Sequence, residues 1–256
     1  MDKLLIKEIK AVLFDVDNTL MASNEFVFRN IKKTIERLND SGQAINMPTD
    51  DQINSVLAKN LSFPDIFKEL FADNHEEVLV KYREHAPNEP YKATIGAVEA
   101  IKKLKETGLI VGLVTNRVKM LEERLVQAGF NTADFEFMCM PPAKEYKKPH
   151  PRAFEEALSQ LAKKGIHTHQ VVMFGDHPDD YYSSFYQNIK FVAVLQGGTT
   201  KEEFIKHNVQ QPLIINDLTQ LPEILEKVVE VYAHGDSLKQ TSALDGRHAA
   251  STHYLR

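Results

Sequence analysis

Short apolar runs that alternate with amphipathic stretches restrict the fold of this chain more than any other feature. The apolar runs occupy residues 11–14, 109–115, 135–138, 171–174, 191–195 and 213–215. Segments with the apolar spacing of helices lie at residues 96–107, 119–128, 151–164, 179–187 and 218–231. Parallel strands are buried on both faces, so their sequences are continuously apolar rather than alternating. We predict an α/β fold in which helices cover both faces of a doubly wound, Rossmann-like parallel sheet.

Residues 21–92 break this alternation, because helical patterns follow one another there with no strand between them. The patterns lie at residues 26–38, 50–59, 64–71 and 75–85. One apolar stripe on the first of them is formed by Phe28, Ile31, Ile35 and Leu38. We predict a core at residues 1–20 and 93–233, an inserted helical domain at residues 21–92 and a polar C-terminal tail at residues 234–256.

Composition argues against several classes of protein. The chain has 31 Lys and Arg against 36 Asp and Glu, a net charge of −5, which does not suit a nucleic-acid binder with a basic surface. Its apolar runs are far shorter than the roughly 20 residues of a membrane span. Cys139 is the single cysteine, so no internal disulfide forms and a reducing compartment is expected. We expect a cytoplasmic protein, monomeric or homodimeric, that binds neither membranes nor nucleic acid.

Two carboxylates come at the end of the first predicted strand. In the segment VLFDVDNTL, residues 12–20, Asp15 ends the strand and Asp17 lies two residues later. Doubly wound sheets bind ligands at the carboxyl ends of their strands, so both side chains are candidates for chemistry. Taken alone, the pair is equally typical of a solvated turn. The residues at three further strand ends decide between these interpretations.

The residues near three later strand ends carry groups that complement the two aspartates. Thr115 and Asn116 can hold phosphate oxygens, although the same pair could simply cap a helix. Lys148 precedes a proline, which restricts its backbone and favours a fixed cation. Asp176 follows another apolar run, and Asp180 comes four residues later. Two like charges 4 Å apart repel by about 4 kcal/mol at an effective dielectric of 20, so the aspartates need a cation, and oxygen ligands suit Mg²⁺.

The motifs resemble those of the haloacid-dehalogenase superfamily, in its phosphoglycolate-phosphatase-like branch. They occur in the family's order as Asp15-Val16-Asp17-Asn18-Thr19, Thr115-Asn116, Lys148-Pro149, and Gly175-Asp176 with Asp180. The similarity spans residues 10 to about 230, and the helical insertion falls where the family has a cap domain. The resemblance implies a Mg²⁺-dependent phosphatase for a small phosphorylated metabolite. An aspartate at position 17 favours phosphate esters, since dehalogenases and phosphonatases lack it.

The resemblance also implies chemical roles. Asp15 would attack phosphorus and form an aspartyl-phosphate, while Asp17 would act first as general acid and then as general base. Thr115 and the backbone amide of Asn116 would hold the phosphoryl oxygens. Lys148 would neutralise the charge that develops in the transition state.

The metal ligands implied by the resemblance are the Asp15 carboxylate, the backbone carbonyl of Asp17 and the Asp176 carboxylate. Asp180 would either bind the metal directly or support it from behind. Both arrangements use the oxygen ligands that Mg²⁺ prefers.

Three alternatives stay open at this level. Lys147 could share the role of Lys148, because the preceding loop, residues 140–146, lacks the family's usual glycine. The substrate could be phosphoglycolate, the family default, or a nucleotide or sugar phosphate. A phosphoryl-binding regulator without turnover is an alternative of another class, although every group that turnover needs is present.

Overall fold

Six parallel strands form the central sheet in the part of the chain that the computed structural model describes, residues 8–59 and 61–242. They are β1 (Ala11–Phe14), β2 (Ile110–Val114), β3 (Phe137–Cys139), β4 (Val171–Gly175), β5 (Lys190–Val194) and β6 (Ile214–Ile215). Their order in the sheet is β3-β2-β1-β4-β5-β6, and every pairing is parallel. The predicted doubly wound α/β fold is confirmed. The strand order reverses between β1 and β4, which is where open parallel sheets bind ligands.

Ten α-helices in the same residues either cover the sheet or form the insertion. They are α1 (Ser23–Asp40), α2 (Asp50–Leu57), α3 (Phe63–Phe71), α4 (His75–His85), α5 (Ala97–Glu106), α6 (Leu121–Gln127), α7 (Glu155–Lys163), α8 (Pro178–Phe185), α9 (Lys201–Lys206) and α10 (Leu221–Ser242). Helices α1 to α4 follow β1 with no strand between them, whereas α5 to α10 alternate with the remaining strands. The alternation accounts for a sheet that is covered on both faces.

Successive residues of β1 face opposite sides of the sheet. Val12 and Phe14 pack in a core that includes residues of α5, α6 and α10, whereas Ala11 and Leu13 pack against α7 and α9. All four side chains are fully buried. This burial on both sides explains why the strand is continuously apolar, and it leaves the polar chemistry to the residues beyond its carboxyl end.

The chain leaves the sheet and returns to it through two segments that lie side by side. Met21 forms an antiparallel bridge to Ala93, and the Thr94 amide donates a hydrogen bond to the Leu20 carbonyl at 2.9 Å. All four inserted helices thus begin and end at one place beside β1.

The apolar face of α1 differs slightly from its predicted stripe. Ile31 and Ile35 are buried as predicted, whereas Phe28 is only partly buried and Phe26 is buried instead. The ring of Phe26 stacks on Tyr91 with their centroids 3.8 Å apart. The stripe is shifted because α1 packs against the returning segment as well as against other helices, and helical spacing alone does not reveal that contact.

The last helix is longer than its sequence pattern indicates. Helix α10 runs to Ser242, whereas the predicted helix ends at residue 231 and the predicted tail begins at residue 234. Polar residues and one internal glycine do not end a helix, since such a glycine costs only about 1 kcal/mol. Residues 243–256 of the predicted tail, and residues 1–7, lie outside the described residues. No helix in the described ranges is both long and apolar enough to cross a membrane.

We expect Gly112→Ala to destabilise the sheet by about 1–3 kcal/mol, because the space beside this residue is filled. Gly112 pairs with Phe137 of the neighbouring strand, and a Cβ atom at Gly112 would lie 2.3 Å from the Phe137 ring. Urea denaturation measures the change in the free energy of unfolding. The double variant Gly112→Ala/Phe137→Leu should be less destabilised than the sum of the two single variants, and strict additivity would contradict this explanation.

Candidate active site

The carboxyl ends of β1 and β4 place two buried carboxylates at one edge of the sheet. Asp15 follows β1, and its amide donates a hydrogen bond to the Phe174 carbonyl of β4 at 2.9 Å. Asp176 follows β4 directly. Both residues are buried, with 7% and 6% of their surface exposed. The two neighbouring strands therefore bring together carboxylates that are 161 residues apart in the sequence.

A buried lysine lies between two of the predicted carboxylates. Lys148 Nζ is 2.5 Å from Asp15 Oδ1 and 2.6 Å from Asp180 Oδ1, and it also donates to the Val114 carbonyl at 2.9 Å. Three acceptors match the three hydrogens of an ammonium group. Burial alone would lower the pKa of Lys148, but the charges of Asp15 and Asp180 outweigh it and raise the pKa. Lys148 is therefore a fixed cation.

The structure distinguishes the two adjacent lysines. The Asn116 side chain holds the Lys148 backbone at both polar atoms, accepting from its amide at 2.9 Å and donating to its carbonyl at 3.2 Å. Lys148 is 5% exposed, whereas Lys147 is only partly buried. The loop after β2 thus determines which lysine enters the site, and the alternative of Lys147 finds no support in these contacts.

The carboxylate of Asp176 is held by two contacts that the sequence motifs do not reveal. Thr19 Oγ1 donates to Asp176 Oδ1 at 2.8 Å. Gly197, in the loop after β5, lies so close that a Cβ atom there would be 1.7 Å from Asp176 Oδ2. A side chain at position 197 would therefore displace the Asp176 carboxylate from its place.

Asp180 is engaged at both of its oxygens. Oδ1 contacts Lys148, and Oδ2 accepts a hydrogen bond from the His177 amide at 3.1 Å, closing a capping box at the start of α8. Both carboxylate oxygens of Asp180 therefore have protein partners.

The pKa values of the buried carboxyls are displaced upward. Burial raises the pKa of Asp15 to about 7, with Lys148 opposing the shift and the charges of Asp180 and Asp17 adding to it. Burial, together with the charges of Asp15 and Asp180, also raises the pKa of Asp176 well above its ordinary value. An additional cation at this place would remove much of the electrostatic cost.

Three carboxylates are close enough to share a metal ion. One oxygen from each of Asp15, Asp176 and Asp180 lies within 4.8 Å of the other two. The set contains only oxygen, in buried and charged form, which is the chemistry that fits Mg²⁺.

The second predicted catalytic aspartate has a partner that sequence reasoning missed. Arg117 holds Asp17 in a two-pronged pair, with Nε 3.1 Å from Oδ2 and Nη2 2.5 Å from Oδ1. The hydroxyl of Ser23 also donates to Asp17. Burial alone would lower the pKa of Arg117, but the charge of Asp17 outweighs it and raises the pKa. The only signal in the sequence is that Arg117 follows the Thr115-Asn116 pair.

The Thr115-Asn116 pair lies beside β1, as expected for residues that follow β2. Thr115 is 1% exposed, and its hydroxyl accepts a hydrogen bond from the Arg117 amide at 3.1 Å. Its own amide donates to the Cys139 carbonyl at 3.1 Å. All seven predicted site residues thus lie on loops or helix starts that follow β1, β2, β3 or β4.

A sequence model of haloacid dehalogenase-like hydrolases matches residues 12–194, more than half of the chain. The chain belongs to this family. The match confirms the family that the motifs predict and the prediction of an enzyme of the haloacid-dehalogenase type. The matched range includes every candidate residue from Asp15 to Asp180.

Similar proteins carry the names of different phosphate substrates. Pyrophosphatase PpaX of Halalkalibacterium halodurans is 26% identical over 212 residues, which are 78% of this chain and 89% of that protein. Glyceraldehyde 3-phosphate phosphatase of Pyrococcus furiosus is 25% identical over 238 residues, 87% of this chain and 95% of that protein. A predicted phosphoglycolate phosphatase from Haemophilus somnus has a similar crystal structure, with a TM-score of 0.62, 18% identity, and coverage of 85% of this chain and 98% of that one. That structural likeness supports the fold.

We expect Lys148→Met to lower the free energy of unfolding by about 3–5 kcal/mol at pH 8 in EDTA, because it leaves buried carboxylates without their cation. Lys147→Met is the matched control and should change stability by less than about 0.5 kcal/mol. Urea denaturation of both variants tests the assignment. A larger loss for Lys147→Met than for Lys148→Met would contradict it.

We expect Mg²⁺ to bind more tightly as the pH rises from 6 to 8. Because the pKa of Asp15 is raised to about 7, its carboxyl carries a proton below that pH, and a metal ion must displace this proton. Affinity should fall by about tenfold between pH 8 and pH 6. Isothermal titration in two buffers of different ionisation enthalpy measures both affinity and proton release. Equal affinity at pH 6 and pH 8, or identical proton release in Asp15→Asn, would contradict the expectation.

Proposed function

We propose that this hydrolase is a Mg²⁺-dependent phosphatase that hydrolyses a small phosphate monoester. The observation that carries the proposal is the contact between the Asp15 carboxylate and Lys148 Nζ, 2.5 Å apart, at the edge where Asp176 also lies. A carboxylate held beside a fixed cation is suited to attack an anionic phosphoryl group, whose own charge would otherwise repel it.

The two aspartates after β1 would perform the bond-making steps. An Asp15 oxygen attacks phosphorus, the bond from phosphorus to the ester oxygen breaks, and an aspartyl-phosphate forms. Asp17 gives a proton to the departing ester oxygen and then takes one from the water that hydrolyses the aspartyl-phosphate. The contacts of Asp17 with Arg117 and Ser23 hold its carboxylate in one orientation.

Two neighbouring loops would hold the phosphoryl group. The Thr115 hydroxyl and the Asn116 amide would bind its oxygens, and Lys148 would stabilise the charge that grows on them. The Asn116 side chain supports this arrangement, since it fixes the Lys148 backbone and so couples the two loops.

The metal would be held by the Asp15 carboxylate, the Asp17 backbone carbonyl and the Asp176 carboxylate. Asp180 would support it by fixing Lys148, since both Asp180 oxygens have protein partners. A bound Mg²⁺ would neutralise charge on the transferred phosphoryl group.

Residues 21–92 would act as a cap on a core formed by residues 1–20 and 93–233. A contact between the two parts supports this position of the cap. The Asn24 side chain on α1 donates a hydrogen bond to the Gly197 carbonyl of the core at 2.9 Å. A cap in this place would exclude water during phosphoryl transfer.

The substrate would be a small phosphorylated metabolite, since the named activities of the similar proteins concern pyrophosphate, glyceraldehyde 3-phosphate and phosphoglycolate. Nucleotide and sugar phosphates are the alternatives within the same chemistry. A cytoplasmic location and a monomeric or homodimeric state stay predictions.

We expect phosphate release from small phosphate esters in the presence of Mg²⁺, and its loss in EDTA. Asp15→Asn should lower kcat by at least about 1,000-fold, because an amide is a far poorer nucleophile than a carboxylate. A colorimetric phosphate assay on a panel of esters measures this.

Asp134→Asn is the matched control, because Asp134 precedes β3 at the opposite edge of the sheet and should leave kcat unchanged. Turnover that survives Asp15→Asn would contradict the mechanism. Phosphate release that is insensitive to EDTA would contradict the role of the metal.

A further inference from the structure

Arg117 lies beside the carboxylate that the proposed function assigns to the leaving oxygen. Its Nε and Nη2 atoms contact Asp17 at 3.1 and 2.5 Å. Any substituent close to the ester oxygen of a bound substrate would therefore come near the Arg117 guanidinium. A guanidinium presents a planar fork that matches carboxylate and phosphate groups.

The orientation of this guanidinium does not depend on Asp17 alone. Nη2 also donates to the Tyr91 hydroxyl at 3.3 Å, and the group lies 5.3 Å from the centre of the Tyr91 ring. Tyr91 is itself buried and stacked on Phe26. Stacking on an aromatic face holds an arginine in place while leaving its edge available for an anion.

Part of that edge is available for a further partner. In the described residues, Nη1 of Arg117 donates no hydrogen bond, and the side chain is 17% exposed. The facing Asp17 side chain is 34% exposed, so the pair opens to solvent.

A second cationic side chain lies close to Arg117. A second guanidinium, that of Arg124, lies 4.7 Å from the centre of the same Tyr91 ring. Two arginines thus lie against one aromatic residue, with Asp17 paired to Arg117 and the Glu123 carboxylate close enough to act on Arg124. The nearby Glu89 carboxylate pairs with Lys33 at 2.6 Å and does not offset the second arginine.

We infer that Arg117 is a specificity residue that binds a second anionic group on the leaving side of the substrate. The inference rests on the proposed function and narrows its substrate class to phosphate compounds that carry a carboxylate or a further phosphate next to the bridging oxygen. Either anion could accept hydrogen bonds from Nη1, the nitrogen that Asp17 and Tyr91 leave open, and different substrates distinguish them.

The test compares matched substrates in the wild type and in two variants. Phosphoglycolate carries a carboxylate where 2-hydroxyethyl phosphate carries a neutral hydroxymethyl group, and pyrophosphate supplies the second phosphate. The measured quantity is the ratio of kcat/KM for each anionic substrate to kcat/KM for 2-hydroxyethyl phosphate. Differences in intrinsic reactivity cancel when this ratio is compared between wild type and variant.

We expect Arg117→Gln to lower the ratio by about tenfold to hundredfold, as for the loss of a hydrogen bond between charged groups. Ser23→Ala is the control, because Ser23 also contacts Asp17 but carries no charge. It should leave the ratio unchanged, whatever it does to the individual rates. A fall for phosphoglycolate alone identifies a carboxylate as the second anion, and a fall for pyrophosphate alone identifies a phosphate.

The outcomes separate this inference from the proposed function. If the wild type hydrolyses the esters but Arg117→Gln lowers all rates equally, Arg117 only positions Asp17 and the inference is wrong. If the wild type hydrolyses other phosphate esters but none of these three substrates, the inference is wrong and the proposed function stands. If it hydrolyses no phosphate ester at all, the proposed function fails.

If Arg117→Gln has no measurable turnover, binding decides. Calorimetry compares phosphoglycolate with 2-hydroxyethyl phosphate on Asp15→Asn and on Asp15→Asn/Arg117→Gln. Selective loss of phosphoglycolate binding in the double variant supports the inference, and equal binding by both variants overturns it.

Discussion

The buried ammonium group of Lys148 holds the candidate active site together. It joins Asp15, which follows β1, to Asp180 on α8, and it also binds the last carbonyl of β2. Without a cation between them, carboxylates in this apolar surrounding would repel one another and lose the solvation that water gives. Asn116 fixes the lysine from behind, so the loops after β2 and β3 become part of the same unit. The position of one side chain thus depends on four neighbouring strands being in register.

The strands and the convergence of their ends could be predicted from the sequence because both follow from local patterns. A strand that is buried on both faces must be continuously apolar, as β1 is, and parallel strands must end at a common edge. The residues just beyond each apolar run, from Asp15 to Asp180, therefore come together without any knowledge of the loops. Which of the two adjacent lysines enters the site could not be predicted in the same way. The choice of Lys148 over Lys147 depends on hydrogen bonds between Asn116 and the Lys148 backbone.

The parts that could not be predicted depend on contacts between distant segments. Tyr91 lies in a stretch that has the composition of a polar linker, yet its ring is buried between α1 and the loop after β2. Nothing in the sequence distinguishes Arg117 from an arginine on the surface. Only its contact with Asp17 in the folded chain indicates a role. Gly197 is one of several glycines in the sequence, and only its approach to Asp176 makes it different. None of these contacts has a periodicity or a spacing that a single sequence displays.

The side-by-side exit and return of the inserted segment have a consequence for how the chain folds. In the sheet, Ala11 pairs with Ile110, so the first central pairing closes a loop of about a hundred residues. Helices α1 to α4 make mostly local contacts and can form early, since local structure forms fastest. Once they have formed, the hydrogen bond between Thr94 and Leu20 brings the two ends together. The loop that remains to be closed is then only the short stretch around α5. Early folding of the insertion thus shortens the loop that closes when β1 pairs with β2.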